Sequence, residues 1–131
     1  MQSLPLIAAR ILLVPIFLAS AFTKLTSWPS TTARIADASV PIPDVMLAGA
    51  LILEIVGAVL VLLGLFTRIG AVMLLAFLVP VTLLMHPFWV DAGELTPFLK
   101  NTAIAGGLLM LAALGAGHFS LDAWRKRHPN P

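Results

Sequence analysis

The sequence contains no cysteine and few charged residues, and both absences narrow what the protein can do. Without cysteine, the chain cannot form disulfides, attach a c-type haem, hold a thiolate iron–sulfur cluster or carry out cysteine redox chemistry. Charged residues make up 11% of the chain, against about 25% in soluble proteins. Any redox centre must therefore be bound noncovalently, be held by His or Met, or lie on a partner protein.

Several motifs of well-known chemistry are missing as well. The sequence has no phosphate-binding glycine loop, no Ser/His/Asp spacing of a catalytic triad and no His-x-x-x-His pair. The net charge is only +2, and the basic residues do not form the clusters of a nucleic-acid-binding surface. These absences argue against a hydrolase and against a nucleic acid partner, and they leave open whether the protein is an enzyme at all.

Apolar residues dominate what is present. They account for 60% of the sequence, and the mean hydropathy is +1.01. A chain with so few polar residues cannot coat a soluble surface, so we predict an integral membrane protein whose main partner is the lipid bilayer. A length of 131 residues predicts a single domain, covering residues 1–131.

Four apolar stretches are long enough to cross a bilayer as helices. We predict an all-α, integral membrane four-helix bundle with spans at about residues 4–23, 45–66, 69–85 and 97–114. Residues 27–38, in the long first loop, are predicted to form a short interfacial helix. Residues 118–131 form a basic tail that we expect to lie at the membrane surface.

The orientation follows from the distribution of positive charge. The first apolar stretch resembles a signal peptide at Ala19-Ser20-Ala21, but no Lys or Arg precedes it and Arg10 interrupts it, which favours a membrane span. Four spans place both termini on one side of the membrane. Arg68 and the cluster Arg125–Arg127 share that side, so the positive-inside rule predicts that both termini are cytoplasmic.

Glu54 lies in the middle of the second span, where a carboxylate costs about 2.5–3.5 kcal/mol on insertion scales. Small residues on its helix face, including Gly57 and Ala58, allow a neighbouring helix to approach closely, so Glu54 is predicted to face protein. Arg10 in the first span is the predicted partner by depth. The pair is interpreted either as a structural clamp or as part of a site that carries a proton or anchors a ligand.

Four other polar residues fall near the outer ends of the predicted spans: Lys24, His86, Lys100 and Asn101. A cationic ring with an imidazole suits an anionic or quinone-like ligand, because a quinone carbonyl accepts hydrogen bonds. The alternative is contact with lipid headgroups, which the pattern favours for Lys24 and leaves open for the other three. Together with Arg10 and Glu54, these four residues are the predicted ligand-binding residues.

A copper site is the less favoured interpretation of this end of the bundle. Met46, Met85 and His86 lie there, and thioether and imidazole groups can hold Cu(I). Because methionine is common in apolar helices, we predict no metal site. His118 and His128 have no second ligand nearby in the sequence and are interpreted as surface residues.

Eight short segments along the chain form a recognisable series. They are Ala9-Arg10, Phe22–Lys24, Val40–Pro43, Leu53–Gly57, Leu63–Arg68, His86, Phe98–Asn101 and Gly115–Asp122. In this order and spacing they resemble the DoxX family of small four-helix bacterial membrane proteins, although members of that family often carry Arg where this chain has His118. The resemblance implies an inner-membrane bundle and a link to redox metabolism, since the family takes its name from a subunit of a quinone-reducing, sulfur-oxidising membrane complex.

Three functions are compatible with these patterns. The first is a redox-associated, quinone-linked membrane subunit with a polar pocket inside the bundle. The second is a non-catalytic scaffold that holds a redox partner protein at the membrane through its loops or basic tail. The third is a small proton-coupled transporter that uses the membrane carboxylate. The small-residue faces of the second and fourth spans fit packing within one bundle and also fit a dimer.

Overall fold

The computed structural model describes residues 3–129, and within them it is built from helices without any strand. The helices are α1 (Ser3–Thr26), α2 (Trp28–Asp37), α3 (Pro43–Leu63), α4 (Thr67–Met85), α5 (Leu95–Leu114) and α6 (Leu121–Arg127). A single 3-10 turn, Ala92–Glu94, leads into α5. The predicted interfacial helix is present as α2. Of the predicted basic tail, residues 130 and 131 lie outside the described residues.

Helices α1, α3, α4 and α5 are each long and apolar enough to cross a membrane, which confirms the predicted all-α membrane bundle. Their ends differ from the predicted spans by at most three residues. Large apolar side chains remain exposed along their outer faces, as expected where lipid is the solvent. Examples are Leu12, Phe22, Ile52 and Leu109.

The four spanning helices form a ring in which α3 packs against α1 and α4, and α5 packs against α4 and, less extensively, against α1. The bundle therefore has two distinct ends. We call the end with the start of α1, the α3–α4 turn and α6 the terminal end. We call the opposite end, with α2 and residues 86–94, the loop end.

The half of the bundle near the terminal end holds a closed apolar core. Its fully buried members come from all four spanning helices: Val14, Ala58, Val61, Ala71, Leu74, Leu108 and Leu111. Helices α3 and α4 approach closely at Gly57 and Gly70, where a Cβ on Gly57 would lie 2.9 Å from Leu74 Cγ and 3.0 Å from the Gly70 carbonyl oxygen. The two glycines therefore permit a spacing that larger residues would prevent.

Helix α6 is fastened to the turn between α3 and α4. The Asp122 carboxylate accepts hydrogen bonds from the backbone amides of Phe66 at 2.7 Å and Thr67 at 3.0 Å. The Asp122 amide in turn donates to the Gly64 carbonyl at 2.8 Å. Asp122 thus caps the N-terminus of α4 from a distant part of the chain, where the local residues supply no side-chain cap.

Helix α2 lies across the loop end, over α1 and α3. Ile35 packs with Ala21, Leu47 and Leu51 in a small second core. The Trp28 indole donates to Asp44 at 2.8 Å, which ties the start of α2 to the first turn of α3. This helix forms one wall of the cavity described next.

Candidate ligand pocket

Glu54 lies in the interior of the bundle, and its ion-pair partner is Lys24. The side chain of Glu54 is fully buried, and that of Lys24 is 16% exposed. The Lys24 ammonium donates to Glu54 Oε2 at 2.9 Å and to the Ser20 hydroxyl at 2.5 Å. It also lies 4.5 Å from the centre of the Phe77 ring, a cation–π contact. Headgroup contact, the favoured interpretation for Lys24, is therefore wrong: the side chain turns inward.

The direction of the helices explains this pairing. Side chains on a helix lean toward its N-terminus. Lys24 stands near the C-terminal end of α1 and therefore leans back into the bundle. Helix α3 runs the opposite way, so Glu54 leans toward the loop end and meets Lys24.

The predicted pairing of Arg10 with Glu54 is wrong. Arg10 leans toward the start of α1, away from Glu54, and its guanidinium reaches the terminal end. There it donates to four backbone carbonyls: Val61 at 2.9 Å, Leu62 at 2.9 Å, Ala116 at 3.2 Å and Phe119 at 2.8 Å. The prediction failed because it compared depths along the helix axes and ignored the opposite lean of the two side chains.

Arg10 therefore has a structural role. Val61 and Leu62 lie in the last turn of α3, where carbonyls lose their partners inside the helix; the Val61 carbonyl also accepts from the Gly64 amide at 3.1 Å. The residue is only 6% exposed, and its fork of donors joins the end of α3 to the segment after α5. Gly64 makes room for this arrangement, because a Cβ there would lie 2.7 Å from Arg10 Nη2, and its φ of +68° is one that other residues rarely adopt.

A cavity of about 320 Å³ surrounds the Lys24–Glu54 pair on the loop-end side. It brings together five of the six predicted ligand-binding residues, namely Lys24, Glu54, His86, Lys100 and Asn101. Arg10 is not among its lining residues. The cavity is bounded by α1, α2, α3, α4 and α5, so it exists only when the whole loop half of the bundle is assembled.

The polar side chains of the cavity differ in whether their atoms have hydrogen-bond partners within the protein. Glu54 Oε1 is buried and has no hydrogen-bond partner within residues 3–129. Asn101 is 8% exposed and lines the cavity from α5. His86 Nδ1 lies 2.6 Å from Glu94 Oε2, a contact that orients the imidazole and leaves Nε2 as the nitrogen available to a ligand.

Four polar lining residues were missed by the sequence reasoning: Ser20, Thr23, Thr31 and Arg34. Ser20 precedes Lys24 by four residues, so both lie on the same helix face, and that spacing was a usable signal. Thr31 and Arg34 belong to α2, and nothing in the sequence places α2 over the bundle interior. With Arg34 included, the lining carries three cations, Lys24, Arg34 and Lys100, against the one carboxylate of Glu54.

The rest of the wall is apolar, and the cavity ends inside the bundle. Its apolar lining comes from all four spanning helices and from α2: Ile16, Phe17, Ile35, Leu47, Ala50, Phe77, Leu78, Val81, Met85 and Ile104. Toward the terminal end, the closed core begins with Ala58 and Leu74, both without exposed surface. The geometry is that of a pocket with an apolar wall and convergent polar groups, the usual form of a small-molecule site.

The possible copper ligands do not come together here. Met85 and His86 line the cavity, but Met46 is 43% exposed and does not. Within residues 3–129, no group of three or more His, Asp or Glu residues is arranged to hold a metal ion. His118 and His128 are exposed at the terminal end.

The amino-acid sequence of this chain is similar to one family model and to several known proteins. Residues 5–87 match the family model described as DoxX. The chain is 34% identical to the inner membrane protein YphA of Escherichia coli, over 89% of this chain and 87% of that protein. It is 29% identical to the inner membrane protein YqjF of the same species, over 93% and 92%. It is also 29% identical to the ER-derived vesicles protein ERV29 of Saccharomyces cerevisiae, of which it covers only 34%. No solved structure matches the chain.

Proposed function

This chain belongs to the DoxX family, and on that premise we propose that it is the membrane subunit of a redox system and binds a quinone beside Lys24 and Glu54. It is a multi-pass protein of the inner membrane, as its four apolar helices and its relatives YphA and YqjF indicate. Isoprenoid quinones are dissolved in such membranes, so the ligand would reach the bundle through lipid.

The observation that carries the proposal is the chemistry of the cavity wall. A volume of about 320 Å³ lies at the lower end of the usual range for small-molecule sites, roughly 300–1,000 Å³. The apolar side chains suit a quinone ring. The surplus of hydrogen-bond donors on Lys100, Asn101 and Arg34 suits its carbonyl oxygens, which only accept.

The unpaired oxygen of Glu54 extends this proposal to the reduced form of the ligand. A quinol carries hydroxyl groups, which donate hydrogen bonds where a quinone only accepts them. Glu54 Oε1 is a buried acceptor without a partner among the described residues, and such an atom favours a ligand that brings a donor. The pocket would thus offer donors to the oxidised ring and one strong acceptor to the reduced ring.

The test begins with protein purified in mild detergent, from which bound quinones are extracted and quantified. We expect about one quinone per chain, and a short-chain ubiquinone added to depleted protein should bind saturably. Asn101→Ala removes one lining donor and should weaken binding roughly tenfold, the effect of losing one hydrogen bond of about 1.5 kcal/mol. Thr102→Ala is the matched control, because its exposed hydroxyl bonds only to Phe98 of its own helix.

Two results would contradict the quinone proposal. One is protein that neither retains quinone nor binds the added short-chain ubiquinone. The other is binding that Asn101→Ala and Thr102→Ala weaken equally, since the ligand would then lie outside the cavity.

A scaffold for a redox partner is the second candidate, and the exposed basic side chains of α6 favour it. Arg125, Lys126 and Arg127 lie in the last turn of α6, at the terminal end of the bundle. Deleting residues 125–131 removes these charges and keeps Asp122, so the cap of α4 is preserved. A scaffold that works through the tail should lose its partner on this deletion while the bundle still unfolds at the same temperature.

A proton-coupled transporter is the weakest of the three candidates. The cavity lies in the loop half of the bundle, and the closed apolar core separates it from the terminal end. Glu54 is also neutralised by Lys24. Proton-coupled efflux from vesicles that disappeared in Glu54→Ala would nevertheless favour transport over both other functions.

We further propose that both termini face the cytoplasm. The contact of Asp122 with the start of α4 brings Arg68 and the α6 cations to the same end of the bundle. A concentration of Lys and Arg at one end is the signal of a cytoplasmic face. A fluorescent protein fused after residue 131 should fold and fluoresce, and an alkaline phosphatase fused there should be inactive; the reverse pattern would contradict this orientation.

A further inference from the structure

A second concave surface lies at the terminal end, on the opposite side of the bundle from the quinone cavity. It is a groove of about 910 Å³ between α6 and the start of α4. We call it the basic groove, and its cations are Arg68, Arg125 and Lys126. The quinone proposal makes no use of it.

The positive charge of the basic groove is largely uncompensated. Arg68 and Lys126 make no side-chain hydrogen bond or ion pair with any residue of the stretch 4–129. The Arg125 guanidinium lies over the Phe66 ring, with Cζ 4.4 Å from the ring centre. Its Nη1 is 4.0 Å from Asp122 Oδ1. Asp122 is the one acidic residue in the described lining, and its two oxygens already accept the amides of Phe66 and Thr67.

The opposite wall of the groove is apolar and belongs to the membrane-spanning helices. Leu6, Ile69 and Leu114 line it from α1, α4 and α5. Ile69 and Leu114 are more than half exposed, so this wall is continuous with the lipid-facing surface. Trp124 on α6, also more than half exposed, stands where a headgroup-level anchor is expected.

From this juxtaposition we propose that the basic groove binds one anionic glycerophospholipid. The phosphodiester lies among Arg68, Arg125 and Lys126, and an acyl chain lies along Leu6, Ile69 and Leu114. A free phosphate would leave the apolar wall unused. A zwitterionic lipid would bring its own cation into a region that already has three. Basic pockets between spanning helices are a known way of holding acidic lipid headgroups.

The experiment uses the full chain in detergent micelles that contain equal amounts of phosphatidylglycerol and phosphatidylethanolamine. Native mass spectrometry then counts the lipids retained per chain. We expect one phosphatidylglycerol in clear excess over phosphatidylethanolamine. Arg68→Gln and Lys126→Gln should each lower that preference roughly fivefold, the effect of one cation at a membrane surface.

Arg127→Gln is the matched control. It removes the same charge from the same helix, but Arg127 lies outside the groove lining and reaches the His118 carbonyl instead. The preference should survive in this variant. Equal losses in Arg127→Gln and Lys126→Gln would show attraction by net charge alone and would overturn the proposed site.

Two further measurements keep the outcome clear. Lys126→Arg keeps the charge and should keep the preference, whereas loss of the preference in this variant would contradict the proposal. Inorganic phosphate is added alone as a competitor. If it displaces phosphatidylglycerol and raises the unfolding temperature of the wild type by itself, the groove is a phosphate site and the lipid proposal is wrong.

Discussion

Helix α1 carries two cations, Arg10 and Lys24, and their surroundings differ. Arg10 donates to four backbone carbonyls at the terminal end and lies against residues that hold the fold together. Lys24 pairs with one side chain, Glu54, beside a cavity at the loop end. The four hydrogen bonds of the Arg10 guanidinium are thus with the backbone of the chain. Lys24 instead pairs with Glu54, whose second oxygen, Oε1, is buried and unpaired among the described residues.

This difference separates structure from function in the molecule. The four partners of Arg10 are backbone carbonyls, whose positions are set by the fold. No substitution of a partner side chain can remove these acceptors. The Lys24–Glu54 pair consists of two side chains, and a buried pair of that kind is weak support for stability. We therefore expect the terminal end to control folding and the loop end to control ligand binding.

The largest effect should come from Arg10→Met. It removes the side-chain donor from four carbonyls, of which only that of Val61 keeps a second donor among the described residues, the Gly64 amide. We expect the free energy of unfolding to fall by about 3–5 kcal/mol, the effect of breaking a buried charged network. Thermal unfolding in mild detergent measures it. Arg10→Lys should recover only part of the loss, because one ammonium cannot reproduce the fork of donors. If Arg10→Met unfolded at the wild-type temperature, the proposed difference between a structural terminal end and a ligand-binding loop end would be contradicted.

The second prediction concerns the Lys24–Glu54 pair. Lys24→Met leaves a buried carboxylate without its partner and should destabilise the bundle by about 3 kcal/mol. The double variant Lys24→Met/Glu54→Met replaces both charges with apolar groups and should unfold within about 1 kcal/mol of the wild type while losing quinone binding. Additive losses in the double variant would mean that the pair is structural, like Arg10.

The third prediction tests the close contact between α3 and α4 at Gly57, in the apolar core between the cavity and the terminal end. Gly57→Ala places a Cβ 2.9 Å from Leu74 Cγ, and overpacking of this kind costs about 1–3 kcal/mol. Gly106→Ala is the matched control, since nothing lies within 4 Å of its added Cβ. Its unfolding temperature should stay the same or rise slightly. An unchanged unfolding temperature in Gly57→Ala would indicate that the close α3–α4 approach is not needed.

The smallest predicted effect is that of Asp122→Ala. It removes the cap from the amides of Phe66 and Thr67 and should lower the free energy of unfolding by about 1 kcal/mol, as for other helix N-caps. Quinone affinity should not change, because Asp122 lies at the end away from the cavity. A loss of quinone binding at unchanged stability would show that the two ends are coupled.

Much of the fold was predictable from the sequence because the bilayer imposes simple length and polarity constraints. The four spans and the interfacial helix depend on runs of apolar residues and on Pro and Gly positions, which are local signals. The proximity of Lys24, His86, Lys100 and Asn101 was anticipated from their position near the outer helix ends, whereas Glu54 was expected to pair with Arg10 and not with this group. Their role as a ligand site stays a proposal.

The partner of each charge was harder to predict. The choice between Arg10 and Lys24 as the partner of Glu54 depends on side-chain lean and helix direction, which a depth estimate along the axes does not contain. The four acceptors of Arg10 are backbone atoms, which carry no sequence signature. The contribution of Arg34 depends on how α2 folds back over the bundle, a tertiary feature without a local signal.

The Arg10 network also constrains the order in which the protein can be completed during synthesis. Arg10 leaves the ribosome early, and two of its acceptors, Ala116 and Phe119, follow more than 100 residues later. The first helix must therefore enter the membrane with a guanidinium whose partners do not yet exist. The terminal end of the nascent bundle would lack these two hydrogen bonds until Ala116 and Phe119 emerge. A ribosome stalled before residue 116 would therefore hold an intermediate in which Arg10 does not yet join α3 to the segment after α5.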